Sequence, residues 1–420
     1  MRKICMPLMK DILRVLLISV VVVGWNADGQ AQPFANCSFN LSTGQWEAPD
    51  GGPCLNTITT AVPFLRITPD ARSGAMGDVG VALSPDANAM HHNASRLAFV
   101  EHDVSLSATY TPWLRTLGLN DVYLAYLSGY KNIDEFQTIG FGLRYFSLGE
   151  INFTDDQANS LGTGRPNEFE LSGAYARKLG ENFSAAISAK FIFSNLANGQ
   201  TVEGIQVTAG TAGAADVSLM YRSPIRSGRN ESNLALGLAI TNIGTKITYT
   251  EDIKRDYIPA NLALGAAWTY NLDEYNTITF ATDVNKLLVP TPCLDNPETP
   301  ENECDLTGEI GRPDYLEYSG IEGMFRSLGD APNGLEEELR ELMWSFGVEY
   351  WYNKQFAVRA GYFSEHRTKG NRKYLTVGLG LKYNVFGMNF SYLVPTTNAR
   401  NPLDNTLRFS LIFDFDSIED

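Results

Sequence analysis

The residues best suited to metal or nucleophilic chemistry in this 420-residue chain are five cysteines and four histidines, His91, His92, His102 and His366. Adjacent histidines such as His91-His92 do not complete a coordination shell without further ligands at workable geometry, so no metal site is expected. The chain carries no Gly-x-Ser-x-Gly elbow and no phosphate-binding Gly-rich loop ending in Lys-Ser or Lys-Thr. No catalytic residue and no cofactor is therefore expected, and the chain is not read as an enzyme. Cys37, Cys54, Cys293 and Cys304 form two sequence-local pairs. In an oxidising compartment the simplest pairing is Cys37 with Cys54 and Cys293 with Cys304. Metal binding is the competing reading, against which stand the absence of a nearby histidine and spacings unlike those of zinc sites.

What positions these residues is a period of two. Ala185, Ile187, Ala189, Phe191 and Phe193 interleave with Ser184, Ala186, Ser188, Lys190 and Ser194, and Leu407, Phe409, Leu411, Phe413 and Phe415 with Thr406, Arg408, Ser410 and Asp414. Fourteen segments carry the pattern, one of them, 122 to 130, less cleanly. The expected fold is all-β: a 14-stranded antiparallel transmembrane β-barrel with one face to lipid and the other to a lumen. A soluble sandwich also alternates, but tyrosine or tryptophan closes many of these apolar rows, as an interfacial girdle does. Arg144, Glu170, Lys190, Asp216, Asp283, Glu349, Arg359, Lys382, Arg408 and Asp414 all share the inward parity. Facing hydrocarbon, each would cost about 2–4 kcal/mol at mid-depth. Arg177 breaks the parity beside a turn, where its side chain can snorkel.

The start, Met1-Arg2-Lys3 followed by the apolar run Val15 to Trp25 and Gly29-Gln30-Ala31, reads as a secretory signal peptide over residues 1–31. No later run reaches the roughly 20 apolar residues of a spanning helix. The formal charge of −15 becomes more negative once that basic leader is removed, which speaks against nucleic-acid binding. With the N-terminus periplasmic, the long connections 111–121, 148–167, 195–213, 243–260, 285–342, 364–372 and 395–404 face outward. The turns 131–135, 179–182, 223–231, 271–275, 352–354 and 384–387 face inward. The expected location is the outer membrane, integral among its lipids, with surface-exposed loops. Phe415 is the terminal aromatic that assembly machinery could recognise.

Residues 32–100 are expected to form an N-terminal extension and lumen plug, ahead of the barrel at 101–420. Residues 55–100 are rich in glycine, alanine and aspartate without a strand period, and Phe64, Leu65, Pro69, Asp70, Arg72, Gly74, Met76, Gly77 and Asp78 mark their motif; the alternative is a periplasmic tail, against which stand Val62, Phe64, Leu65, Ile67 and Met76, which need burial. The connection 285–342 is too long for a simple turn. Ile321, Met324, Phe325 and Leu328 have helical spacing, as do Leu335, Leu339 and Leu342 behind an expected Asn333 cap, so two amphipathic helices are predicted. They would either lie as a lid on the barrel mouth or grip another protein.

The stretch from Phe64 to Gly80, continued by Val81 to Ser95, is similar to the N-terminal signature of the outer-membrane long-chain fatty-acid transporter superfamily. Asn93-Ala94-Ser95 stands where the superfamily has Asn-Pro-Ala. Together with Asn285 to Pro292, Asp330 to Gly334 and Glu349 to Phe363, it resembles more closely the PorV family of the Bacteroidetes type IX secretion system. The resemblance implies a fourteen-stranded barrel with an N-terminal plug. It also implies a carrier that receives cargo bearing a C-terminal secretion domain from an SprA-type translocon and delivers it to an attachment complex with a PorU-type sortase. No family-wide catalytic residues accompany that role. On this reading Ile321, Met324, Phe325, Leu328, Leu335 and Leu339 are the candidate partner contacts. The alternative is an outer-membrane transporter of hydrophobic small molecules such as long-chain fatty acids, with an apolar pocket between plug and wall.

Overall fold

Alternation closes the chain on itself. A computed structural model describes residues 38–40, 45–47, 55–115, 118–154, 160–197, 199, 201–202, 205–227, 230–250, 255–292, 316–397 and 405–416. The leader and Cys37, Cys54, Cys293 and Cys304 lie outside the described residues. Fourteen antiparallel strands form one closed barrel. They are β1 Val104–Pro112, β2 Val122–Asp134, β3 Gln137–Leu148, β4 Asn167–Lys178, β5 Phe183–Asn195, β6 Gly210–Ser227 and β7 Asn230–Gly244. They continue as β8 Asn261–Asn271, β9 Asn276–Leu287, β10 Met343–Tyr352, β11 Phe356–Ser364, β12 Lys373–Tyr383, β13 Phe386–Pro395 and β14 Leu407–Phe415. β14 closes on β1 in a register from Phe415↔Val104 to Phe409↔Tyr110. Closure removes the sheet edges that hydrocarbon would not tolerate.

The expected parity holds along the wall. Leu143, Leu171 and Phe191 form one outward cross-strand row, all exposed, while Arg144 and Glu170 pair inward beside them and are buried. Arg177 is exposed opposite Gln137, at the short-turn end.

The inner face departs from a uniformly polar lining near the long-loop end. Leu124, Phe146, Ile192 and Leu393 are buried there against Phe64, Leu65, Trp113 and Phe363. That explains the weak alternation of 122–130: β2 presents Val122, Leu124 and Tyr126 inward as well as Leu127 outward, so both faces are apolar. A turn over 223–231 is corrected too. β6 and β7 stay paired from Ser223↔Leu234 to Ser227↔Asn230. Pro224 fits because it lies past the last pair with β5, Tyr221↔Phe183, where the strand has a single partner.

Residues 62–99 run inside the wall as a 3-10 turn Pro63–Arg66, helix α1 Ala71–Gly74, helix α2 Ala89–His92 and a 3-10 turn Ala94–Phe99. Asp70 caps α1, its carboxylate accepting from the Ser73 N–H at 2.8 Å. Wall glycines let the two backbones touch: a Cβ on Gly361 would fall 2.0 Å from the Met76 carbonyl carbon. Gly77 itself has φ 70, a left-handed geometry that glycine adopts without strain.

Candidate functional site

Two short helices stand over the long-loop end, α3 Gly320–Arg326 and α4 Leu335–Arg340. A helix beside a protein normally turns its apolar stripe inward. α4 does the reverse. Glu337, Glu338 and Glu341 are buried, whereas Leu335 is 76% and Leu339 58% exposed.

The inversion has an electrostatic cause. Lys286 at the end of β9 meets Glu338 at 2.7 Å and also pairs with Glu341. Lys369, in the connection from β11 to β12, contacts Glu341 at 3.0 Å and pairs with Glu337 as well. The Thr291 hydroxyl donates to Glu341 at 2.8 Å, and the Glu338 carboxylate accepts the Ala331 N–H at 3.0 Å. Each buried carboxylate thus has a cation and a hydrogen-bond donor, the condition under which burying charge is tolerable. The expected Asn333 cap is corrected: Gly334, at φ 66, takes the N-cap position without a side-chain bond. Glu337 instead reaches back to accept the Asn333 N–H at 3.1 Å.

α3 docks by its glycines. A Cβ on Gly323 would lie 2.7 Å from the Tyr257 ring, and one on Gly320 2.4 Å from the Gly244 carbonyl oxygen. The Tyr257 hydroxyl donates to the Tyr318 carbonyl at 3.0 Å, and the Ser319 hydroxyl accepts the Glu322 N–H at 3.2 Å as the cap. With the small-residue face inward, Ile321, Phe325 and Leu328 are left exposed, Phe325 by 74%, and Met324 half-buried. Helical spacing found these residues; the direction of the face depends on Lys286, Lys369, Tyr257 and Gly244, none of them local to the helices.

Asp330 adds a titratable group to this cluster. Burial, reinforced by Glu341 and Glu338 and opposed by the Thr291 N–H and Lys286, pushes its carboxyl up to about 6. The folded loop therefore favours the protonated form. This group's stabilisation is complete below the unfolded value near 4 and is lost as pH rises through about 6. Lowering the pH from 7 to 5 is expected to slow proteolysis of the segment 316–342 by about three- to tenfold, solvent screening of the partly exposed carboxyl keeping the effect this small. Asp330→Asn should be slow at both pH values, and a wild-type rate that does not change would contradict the assignment.

The motif residues 64–78 form a second locus, inside the lumen. Phe64, Leu65, Pro69, Asp70, Arg72, Gly74, Met76 and Gly77 are buried and Asp78 is half-buried. Arg72 forks onto Glu349 of β10 at 3.0 and 2.7 Å and reaches Asp86 at 2.9 Å. Arg359 of β11 donates to the same Glu349 at 2.6 Å. Asp283 of β9 accepts the Gly80 and Val81 N–H groups at 2.6 and 2.9 Å, and Arg144 of β3 donates to the Leu65 carbonyl at 3.0 Å. These bonds reach widely separated parts of the wall, so the segment is held from several sides. His91 and His92 pack edge to face, with the Arg144 guanidinium donating to His91 Nδ1 at 2.6 Å and His92 facing Asp70 at 3.4 Å. They serve this polar lining, and no cluster of metal-ligating residues occurs among the described residues.

Comparison with known proteins gives the chain its relatives. The family described as Type IX secretion system protein PorV matches residues 54–294. That description names a secretion component rather than an enzyme. No curated protein matches. Among solved structures, the toluene transporter TbuX of Ralstonia pickettii shares 12% identity at a TM-score of 0.45, covering 82% of this chain and 98% of its own. The toluene transporter TodX of P. putida shares 10% at 0.46, covering 83% and 99%. A FadL homologue of Pseudomonas aeruginosa shares 10% at 0.40, covering 86% and 99%.

Proposed function

The chain belongs to the PorV family of type IX secretion system proteins, and from that premise we propose that it is a surface carrier. It sits in the outer membrane as a β-barrel. In this reading the rim over the long-loop end holds the C-terminal secretion domain of a cargo protein released by an SprA-type translocon and hands it to a PorU-type attachment complex.

The observation that carries the proposal is the inverted α4, which spends its charges on the barrel and keeps Leu335 and Leu339 for solvent, together with the exposure of Ile321 and Phe325 on α3 and of Leu328 just after it. Five large exposed apolar side chains within the one connection 316–342 offer an interaction site. Burying each would contribute about 1.5–3 kcal/mol to association. The lumen is not the route for such a partner. Residues 62–99 act as a plug that occupies it, and a folded domain exceeds the bore of a fourteen-stranded barrel in any case. Transport of a hydrophobic small molecule is less well served by this lining, since a cavity of about 110 Å³ between residues 62–99 and the wall sets Arg66, Asp78, Asp283, Arg372 and Arg408 among apolar members such as Leu65, Val81, Leu287 and Phe363.

Deleting the protein from its host tests the carrier reading. Cargo bearing the secretion domain is expected to accumulate in the periplasm while the translocon remains assembled. Normal display of cargo on the cell surface would refute the role.

A further inference from the structure

One buried charge in the lumen lacks what its neighbours have. Arg72, Arg96, Arg144 and Arg359 each make two or more hydrogen bonds. Arg408 of β14 has a side chain 1% exposed, and its nearest carboxylate oxygen, on Asp78, is 4.0 Å away. Its Nε, Nη1 and Nη2 have no hydrogen-bond partner among the described residues. Asp78 does not turn fully toward it, because the other carboxylate oxygen accepts from the Tyr374 hydroxyl. A buried guanidinium without a hydrogen-bond acceptor is costly, and an acceptor supplied to it offsets that cost.

Arg408 lines the lumen cavity of about 110 Å³, whose walls also carry Arg66, Arg372, Asp78, Asp283 and Ser345. Arg372 and Arg66 both pair with the buried Glu365, at 2.8 and 3.6 Å, and Asp283 is already bonded to two backbone N–H groups, so Arg408 is the arginine of this lining without an acceptor of its own. The Ser345 hydroxyl is likewise unpartnered among the described residues. So is that of Ser391, directly across from Arg408 in the β13–β14 ladder. The cavity has room for several water-sized groups. A guanidinium with a free fork matches the two oxygens of a carboxylate or phosphate, and hydroxyl donors complete such a shell.

We propose that this cavity binds a small oxyanion, with Arg408 as its bidentate partner and the Ser345 hydroxyl as a second donor. The site is independent of the rim and of the carrier reading: it stands or falls on lumen chemistry alone. The anion could be free inorganic phosphate or the carboxylate end of a short amphiphile, and the two arms of one experiment separate them.

The full-length protein in detergent micelles is titrated calorimetrically with sodium phosphate and, separately, sodium octanoate, at fixed ionic strength maintained with chloride. Saturable binding of either anion is expected, and which one binds identifies the source. Arg408→Gln should weaken it by at least tenfold, and Ser345→Ala by a few-fold. Retention of the compact, heat-modifiable band in gels shows that each variant is folded. If Arg408→Gln does not reach that state, Ser345→Ala carries the test, and an unchanged affinity in it overturns the proposal. No saturable binding of either anion to the wild type, or equal affinity in folded Arg408→Gln, overturns it too.

Discussion

Replacing Phe325 and Leu328 together by aspartate is expected to weaken capture of a cargo secretion domain by about a hundredfold or more, with the barrel unaffected. Each residue is exposed, Phe325 by 74% and Leu328 by 54%, so neither supports the fold. Exposed substitutions of this kind usually change stability by no more than about 0.5 kcal/mol. Association is another matter. Two apolar anchors lost at about 1.5–3 kcal/mol each exceed the roughly 2.7 kcal/mol that corresponds to a hundredfold change in affinity. The new carboxylates would also have to be desolvated against the partner, on a rim already bearing Glu322 and Glu336. Pull-down and calorimetry with a purified secretion domain measure the effect. Phe325→Leu with Leu328→Met keeps apolar area and should bind within a few-fold of wild type. Unchanged capture by the double aspartate variant would remove these helices from the binding surface.

How much of this could be read from the residues differs between wall and rim. The wall is local: a period of two puts Glu349 and Arg359 on one face, and the ladder then sets them directly opposite each other. Where the signal failed, a non-local contact had overridden it. β2 reads poorly because Leu124 faces an apolar layer built from Phe64, Phe146 and Ile192, distant in sequence. The turn over 223–231 looked long because its residues are polar, yet they continue the ladder beyond the end of β5. On the rim, spacing revealed two helices and their apolar members, but not that α4 would turn them to solvent. That choice is made by Lys286 and Lys369, whose ammonium groups outcompete any apolar docking of Leu335 and Leu339. Asn333 suggested itself as a cap through its type; Gly334 took the position because the chain there needs a positive φ. Nothing in the sequence distinguishes Arg408 from Arg359, since both have inward parity, and only the placement of Glu349 beside one of them separates a hydrogen-bonded guanidinium from one whose nearest carboxylate stands 4.0 Å away.

That pairing gives the second large expected effect. Glu349→Gln keeps the shape of the side chain and removes its charge, leaving Arg72 and Arg359 facing each other in a site where Glu349 is 1% exposed. Arg72 retains Asp86 at 2.9 Å and Arg359 retains Asn389 at 2.9 Å, so each keeps a partner but neither keeps its strongest one. Breaking a buried pair from one side typically costs 3–5 kcal/mol, because the surviving charges stay desolvated. The loss should fall on the seat of residues 62–99 as well as on the wall, since Arg72 belongs to that segment and Glu349 to β10. Two readouts separate these contributions: the urea midpoint of the heat-modifiable band reports the wall, and protease cleavage within 62–99 reports the segment. Both are expected to shift. Adding Arg72→Met to Glu349→Gln should restore part of the wall stability, because one uncompensated guanidinium is removed, but should not restore protection of the segment, which has then lost its anchor. A Glu349→Gln barrel as stable as wild type, within about 0.5 kcal/mol, would mean that solvent in the lumen screens these charges. The ion pairs would then be a consequence of the segment's position and not what fixes it.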